Sequence, residues 1–374
     1  MNNQICEMVG CEFPLFAFTH CRDVVVAVSK AGGFGVLGGS SFTPEQLEIE
    51  LKWIDEHIDG KPYGVDILVP EHTAVDMSKV SGEQIAAQIP QKHIDFTVSL
   101  LRQYGVEANA DDVVRKTLPT IAPDIGEALM DVAFRHPIRL IVNALGIAPA
   151  SMIERGRKHG VPVGALIGAK EHAIRQVKAG VDVLIAQGTE AGGHCGEVST
   201  LVLIPEVLRA IKPIKSVPVL AAGGIMTGRQ MAGCMAMGAQ GVWTGSVWLA
   251  TNESETSEAF REKMIAATSR DTIRSQARTG KPSRQLHSAW HDAWHGKDSP
   301  GALGMPHMGM LSQPAFQKID KAVDGGNTAA LPLVSYWVGQ GVGLIESVKS
   351  AGDVVQEFKE EFAEAMGDLM SLVE

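Results

Sequence analysis

A (β/α)8 barrel is the fold that this sequence predicts, and three observations predict it. Short apolar, β-branched runs alternate with amphipathic stretches through the first two thirds of the chain. Several of those runs are apolar throughout, as parallel strands covered on both faces must be. A small-residue join also recurs where a helix hands over to a strand, at Ala31-Gly32, Ala179-Gly180 and Met237-Gly238. Glycine suits the left-handed position that closes a helix, so one βα unit is used repeatedly.

The strands are expected at residues 13–18, 35–39, 63–69, 140–145, 161–167, 183–187, 217–222 and 241–245, which completes the eight that a barrel needs. Between the second and third of them, Thr43-Pro44-Glu45-Gln46 supplies an N-cap, a proline at the first helical position and an amide three residues after the cap. A barrel uses about 250 residues and the chain has 374, which leaves material for further segments. Residues 71–116 follow the third strand and read as helical over 82–91 and 93–104. Residues 268–330 are polar and rich in Gly, Pro and His, and read as a small cap domain. The barrel is thus expected over 1–267 and 331–374, with 71–116 as its insertion. The last stretch, 351–373, has Val354, Val355, Phe358, Phe362, Met366, Leu369 and Met370 at helical spacing. It is expected to pack one face outside the barrel.

Composition excludes several classes of function. With 45% hydrophobic and 20% charged residues the chain is an ordinary globular protein. Its net charge of −10, without a basic run, argues against nucleic acid or an anionic membrane as partner. The first residues lack a basic segment followed by an apolar one, so no secretory signal is expected. No apolar stretch is long enough to span a bilayer. Cys6, Cys11, Cys21, Cys195 and Cys234 are odd in number and form no C-x-x-C pair. A reduced, cytoplasmic setting with structural thiols is expected.

The chemistry is expected at the C-terminal ends of the last strands. The run 217–225 takes a strand straight into Gly223-Gly224, and the run 241–246 does the same with Trp243-Thr244-Gly245-Ser246. Without Cβ atoms the backbone N–H groups there approach a phosphate closely, and barrels commonly bind phosphate after strands seven and eight. The alternative is that the glycines merely end strands. The loop Gln187-Gly188-Thr189-Glu190-Ala191-Gly192-Gly193-His194-Cys195-Gly196 delivers one imidazole to the same face. Histidine titrates near neutrality, so His194 suits removal of a proton or pairing with an anion; its plainer role is to bond the loop to itself. Cys195 reads as a buried small residue rather than a nucleophile.

Three further patterns have weaker claims. Gly33-Phe34-Gly35-Val36-Leu37-Gly38 matches a dinucleotide fingerprint in letters, but it follows a helix and enters a strand, the reverse of what that site needs. His287, His291 and His295 stand four apart with no supporting ligand pattern, so no metal site is expected and docking of the cap is the better reading. Gly339-Gln340-Gly341-Val342-Gly343 is either a ligand contact or a close backbone crossing.

The 187–196 loop, the 221–225 turn, the run 238–246 and the run 28–38 together resemble the nitronate monooxygenase (2-nitropropane dioxygenase) family. That family also includes FMN-dependent enoyl-acyl-carrier-protein reductases and NADH:quinone reductases. The resemblance covers most of the barrel in the right order. It implies FMN as cofactor, with His194 as the active-site base beside the flavin. It implies flavin contacts at Gln187, Gly192 and Gly193, and phosphate contacts at Gly223, Gly224, Trp243, Thr244, Gly245 and Ser246. Ala17, Phe18 and Thr19 are expected to approach the ring, although this strand lacks the proline–methionine pair of many relatives. Asp66 falls where relatives usually have Asn, which would exchange an amide donor for a negative charge near the flavin. Lys281 or Arg284, in the cap loop 279–284, would meet an anionic substrate or NAD(P)H. The implied activity is oxidation of a nitronate with O2; the alternatives are an NAD(P)H-dependent enoyl or quinone reductase and a non-redox phosphate-binding barrel.

Overall fold

Eight parallel strands close into a barrel in the computed structural model, which describes residues 1–69, 80–117 and 123–373. In chain order the strands are β1 (Leu15–Thr19), β2 (Phe34–Gly38), β3 (Tyr63–Ile67), β4 (Leu140–Asn143), β5 (Val163–Ile167), β6 (Val183–Gln187), β7 (Gly193–His194), β8 (Val219–Ala222), β9 (Gly241–Thr244), β10 (Thr272–Ser275) and β11 (Ser283–Leu286). The barrel runs β1-β2-β3-β4-β5-β6-β8-β9 and closes where β9 pairs with β1, Phe16 opposite Trp243. All eight expected strands are present. Three of them start two residues late, after Pro14, Pro162 and Pro218, because proline has no N–H for the ladder.

Alternation along each strand sorts side chains into two cores. Tyr63, Val65 and Ile67 face the surrounding helices, whereas Phe16, Phe34, Val36, Val142 and Trp243 fill the barrel interior. Ile5, Cys6 and Val9 join that interior cluster. The helix Gln4–Val9 therefore plugs the N-terminal end, and the Asn3 amide donates to the Gln240 carbonyl just ahead of β9. The opposite, C-terminal end is left for the site.

The helix joins behave as their glycines require. Gly32, Gly180 and Gly238 have φ of 93°, 103° and 105°, where an L side chain is strained. At Thr43 the hydroxyl accepts from Gln46 N, and the Gln46 amide oxygen accepts from Thr43 N, completing a capping box. Gly33 and Gly35 in the fingerprint-like run let β2 lie against the helix Arg22–Lys30. A Cβ on Gly35 would sit 2.5 Å from the Val25 carbonyl oxygen.

A third core differs from the expected division of the chain. Ile85, Ile89, Leu100, Leu101 and Val113 cluster with Trp290, Trp294, Leu311, Phe316 and Leu333. The described part of the insertion therefore packs with the cap rather than with the barrel, and Phe260, Val338 and Val342 extend the same cluster at both ends of 268–330. Residues 71–79 of the expected insertion lie outside the described residues. The C-terminal helix Ala351–Ser371 buries Val354, Val355 and Phe358, but Met366, Leu369 and Met370 are exposed. Its apolar stripe is longer than the surface it covers.

Candidate active site

His194 is placed by a contact that the local sequence does not announce. The loop after β6 forms the two-residue strand β7, which pairs antiparallel with β11, His194 opposite Ser283 and Gly193 opposite Arg284. With β10 this makes a three-stranded sheet in the order β10-β11-β7, so the loop that carries the imidazole is built into the cap. Arg284 Nε donates to the Thr189 carbonyl at 3.0 Å and Arg274 to the Cys195 carbonyl at 3.3 Å, strapping the loop from both sides. Gly192 and Gly339 cross backbone to backbone. A Cβ on Gly339 would lie 2.6 Å from the Glu190 carbonyl oxygen, and Gln340 N donates to that oxygen at 2.8 Å. The glycines at 339–343 thus serve a close crossing of the returning chain.

His194 Nε2 lies 2.8 Å from the Thr279 hydroxyl, which in turn lies 3.1 Å from the Lys281 carbonyl oxygen. A threonine hydroxyl has one hydrogen. Donated to the Lys281 carbonyl, it leaves Oγ1 to accept from Nε2–H and leaves Nδ1 with the lone pair. Burial, with the Lys281 ammonium as a second cause, pushes the imidazole down to about 4. His194 is therefore neutral at physiological pH. Cys195 is half-buried and its thiol is raised by burial, which removes it as a thiolate nucleophile.

The paired glycines after β8 have φ of 112° and 69°, a conformation that only glycine adopts without strain at both positions. The Thr200 hydroxyl and backbone N–H both bond the Glu190 carboxylate, which so caps the helix Thr200–Ile211. Gln230 holds the turn from the other side, donating to the Gly224 carbonyl at 3.0 Å and accepting from Met226 N at 2.7 Å. A cavity of about 630 Å³ opens on the outer flank of this turn, lined by Glu190, Gly223, Gly224, Gln230, Gln340 and Leu344 among others. Neither His194 nor Asp66 lines it.

Several side chains among the expected contacts are turned outward or already engaged. Thr244 is buried, donates its hydroxyl to the Phe16 carbonyl at 3.0 Å and accepts from Trp248 Nε1 at 2.9 Å, so that hydroxyl is committed inside the wall. Ala17 lies in the outer core, and the Thr19 hydroxyl accepts from Cys21 N at the start of the next helix. Trp243 is an interior residue, its ring stacked 6.1 Å from Phe18 and 6.3 Å from Phe16. The Ser246 hydroxyl accepts from Gly339 N at 2.9 Å and keeps its own hydrogen. Phe18 and Gln187 face inward by alternation at the C-terminal ends of β1 and β6.

Asp66 also faces inward, between the outward Val65 and Ile67, opposite Gly38 on β2 and Val142 on β4. It is 3% exposed and its Oδ2 has no hydrogen-bond partner among the described residues. Burial alone raises the carboxyl from 3.8 to about 8. Burial thus acts against the expected negative charge.

The three histidines of the cap have separate partners: His287 pairs with Asp292, His291 lies between Ser288 and Gln285, and His295 meets Ser275. Among the described residues no three His, Cys, Asp or Glu side chains are grouped to hold a metal ion. No helix among them is long and apolar enough to cross a membrane. Thr279, Thr200 and Glu190 were not singled out from the sequence. Thr279 and Glu190 nevertheless lie in loops with a signal of their own, 279–284 through its basic residues and 187–196 through its glycines and His194.

The family model described as "Nitronate monooxygenase" matches residues 12–361. A Mycobacterium tuberculosis protein named "Putative monooxygenase Rv1533" is 48% identical over the full length of both chains. A Staphylococcus aureus protein named "Probable nitronate monooxygenase" is 26% identical over 76% of this chain and 78% of its own. Among solved structures, a nitroalkane oxidase from Streptomyces ansochromogenes superposes with a TM-score of 0.80 at 24% identity, covering 98% of this chain and 99% of its own. FabK from Thermotoga maritima superposes with a TM-score of 0.72 at 23% identity, covering 100% and 99%. With the family model spanning nearly all of the barrel and the cap, this chain belongs to the nitronate monooxygenase family.

Proposed function

We propose that this chain is an FMN-dependent nitronate monooxygenase. The observation that carries the reading is the state of His194: a buried imidazole of low basicity, beside the Lys281 ammonium. Such a histidine is a weak general base at neutral pH. It suits a substrate that has already lost its carbon-bound proton and needs a hydrogen-bonding, electropositive pocket. A nitronate is such an anion, whereas a neutral nitroalkane would require a stronger base.

The residues present fit FMN on two counts. Open space lies in front of Gly193 and Gly245, where a Cβ would meet nothing within 4 Å, and Asp66 Oδ2 is a buried polar atom without a partner among the described residues. The phosphate would rest on the backbone of Gly223–Gly224 and Gly245, with the Ser246 hydroxyl as a further donor. Phe18, Asp66 and Gln187 would surround the ring. When bound, FMN supplies the acceptor for the nitronate's electrons and the means of activating O2. The Lys281 ammonium would attract the anion, Thr279 holds the neutral imidazole of His194, and the cap sheet keeps water from the pocket.

Anaerobic mixing tests the reading. A nitronate alone should bleach the flavin of the purified protein within seconds, and His194→Ala should keep the flavin yet lose most of that rate. Bleaching by NADH and not by a nitronate would replace the reading with a nicotinamide-dependent reductase.

A further inference from the structure

The barrel mouth contains a carboxyl group that the proposed chemistry of His194 does not use. Asp66 lies at the C-terminal end of β3 and points into the barrel. It is 3% exposed, and its Oδ2 meets no donor or acceptor among the described residues. A buried carboxylate without a partner is among the costliest groups a fold can carry, and the usual escape is to keep the proton.

Among the described residues, the flanking elements offer no charge that would hold it ionised. β2 sets Gly38 opposite it and β4 sets Val142. On the β2 side the titratable group is His20, whose ring packs where a Gly38 side chain would be. His20 bonds the Gly38 carbonyl and the Ser41 hydroxyl through Nδ1, and burial holds its imidazole down, so it brings no cation to Asp66. Across the mouth, Gln187 on β6 is uncharged, and burial keeps His194 neutral. Among the described residues, desolvation is the one cause acting on the Asp66 carboxyl, and it acts toward the neutral form.

We propose that Asp66 is a neutral carboxylic acid in the working protein, and that its Oδ2–H donates a hydrogen bond to an acceptor on the edge of the bound flavin ring. Asp66 thereby does what an amide would do, with one difference: its donor is lost when the proton is lost. The inference rests on the FMN reading above for its acceptor, but the protonation state stands on this chain alone.

Two measurements on the full-length, FMN-loaded protein test it. In infrared difference spectra between wild type and Asp66→Asn, the wild type should show a protonated-carboxyl C=O stretch at pH 6 that fades as the pH rises above about 8. The FMN dissociation constant should be similar in wild type and Asp66→Asn at pH 6. Asp66→Leu should weaken binding roughly five- to tenfold, the effect of one lost hydrogen bond. Between pH 6 and pH 9 wild-type affinity should fall while that of Asp66→Asn stays level. An absent carboxyl band at pH 6, or equal FMN affinity in wild type and Asp66→Leu at every pH, overturns the proposal and leaves the flavin reading standing. If no variant takes up FMN, the flavin reading falls, and with it the acceptor assigned to Asp66.

Discussion

Replacing Asp66 by Asn should change how the stability of this protein depends on pH, and the size of the change follows from the structure. In the unfolded chain the carboxyl titrates at its ordinary 3.8; in the fold, burial raises it to about 8. Between those values the folded state holds a proton that the unfolded state has released. Stability from this group is therefore fully present below pH 3.8 and is lost progressively as pH rises to about 8. The slope is about 1.4 kcal/mol per pH unit, on the order of 5 kcal/mol across the whole window. Asparagine keeps the shape and a donor but has no proton to lose. Urea unfolding of both chains at pH 5, 6, 7 and 8 reads the difference, because every other titrating group is shared. The wild type should lose several kcal/mol relative to Asp66→Asn over that range. Parallel curves would refute the argument, since they would mean that Asp66 is already ionised in the fold.

Substitutions at two other positions probe the parts that place His194. Thr279→Val leaves the buried Nε2–H without an acceptor, which costs about 1–3 kcal/mol, and should lower kcat/KM for the nitronate about tenfold or more. Thr279→Ser should restore it, and nitrogen NMR of the imidazole should show the proton on Nε2 in the wild type; a proton on Nδ1 would contradict the assignment. Gly339→Ala drives a methyl to 2.6 Å from the Glu190 carbonyl oxygen, which should destabilise the fold by about 1–3 kcal/mol. The strain falls on the loop that carries His194, so turnover should fall as well. Thermal unfolding and steady-state rates check both effects, and an unchanged melting temperature would mean that the crossing yields more easily than its geometry implies.

How much was legible in the sequence depended on the range of the contacts involved. The eight strands and their glycine joins are local features, so apolar runs and turn chemistry suffice to find them. β7 was not legible: two residues become a strand only because β11, some ninety positions later in the chain, presents an edge to them. The shared core of 80–117 and the cap has the same cause, since Leu101 and Trp290 lie far apart in sequence and meet only in the fold. Side-chain direction was partly legible. Alternation along β9 sets Trp243 inward and Thr244 outward once the interior face is known, and that face is a tertiary fact. Asp66 reads as a charge in the sequence because its desolvation is caused by neighbouring strands. The cavity beside Gly223–Gly224 carried no signal, since Leu344 and Gln340 reach it only through the returning chain.

If the barrel holds FMN at the ends of β8 and β9, the visible spectrum of the purified full-length protein will show it. A flavin spectrum is expected, or its appearance on adding FMN, at one FMN per chain. Loss of that binding is also expected when Gly224, whose φ of 69° leaves no strain-free place for a side chain, is replaced by Val. A colourless protein that takes up no FMN, or one whose FMN binding is unaffected by Gly224→Val, would contradict FMN binding at that site.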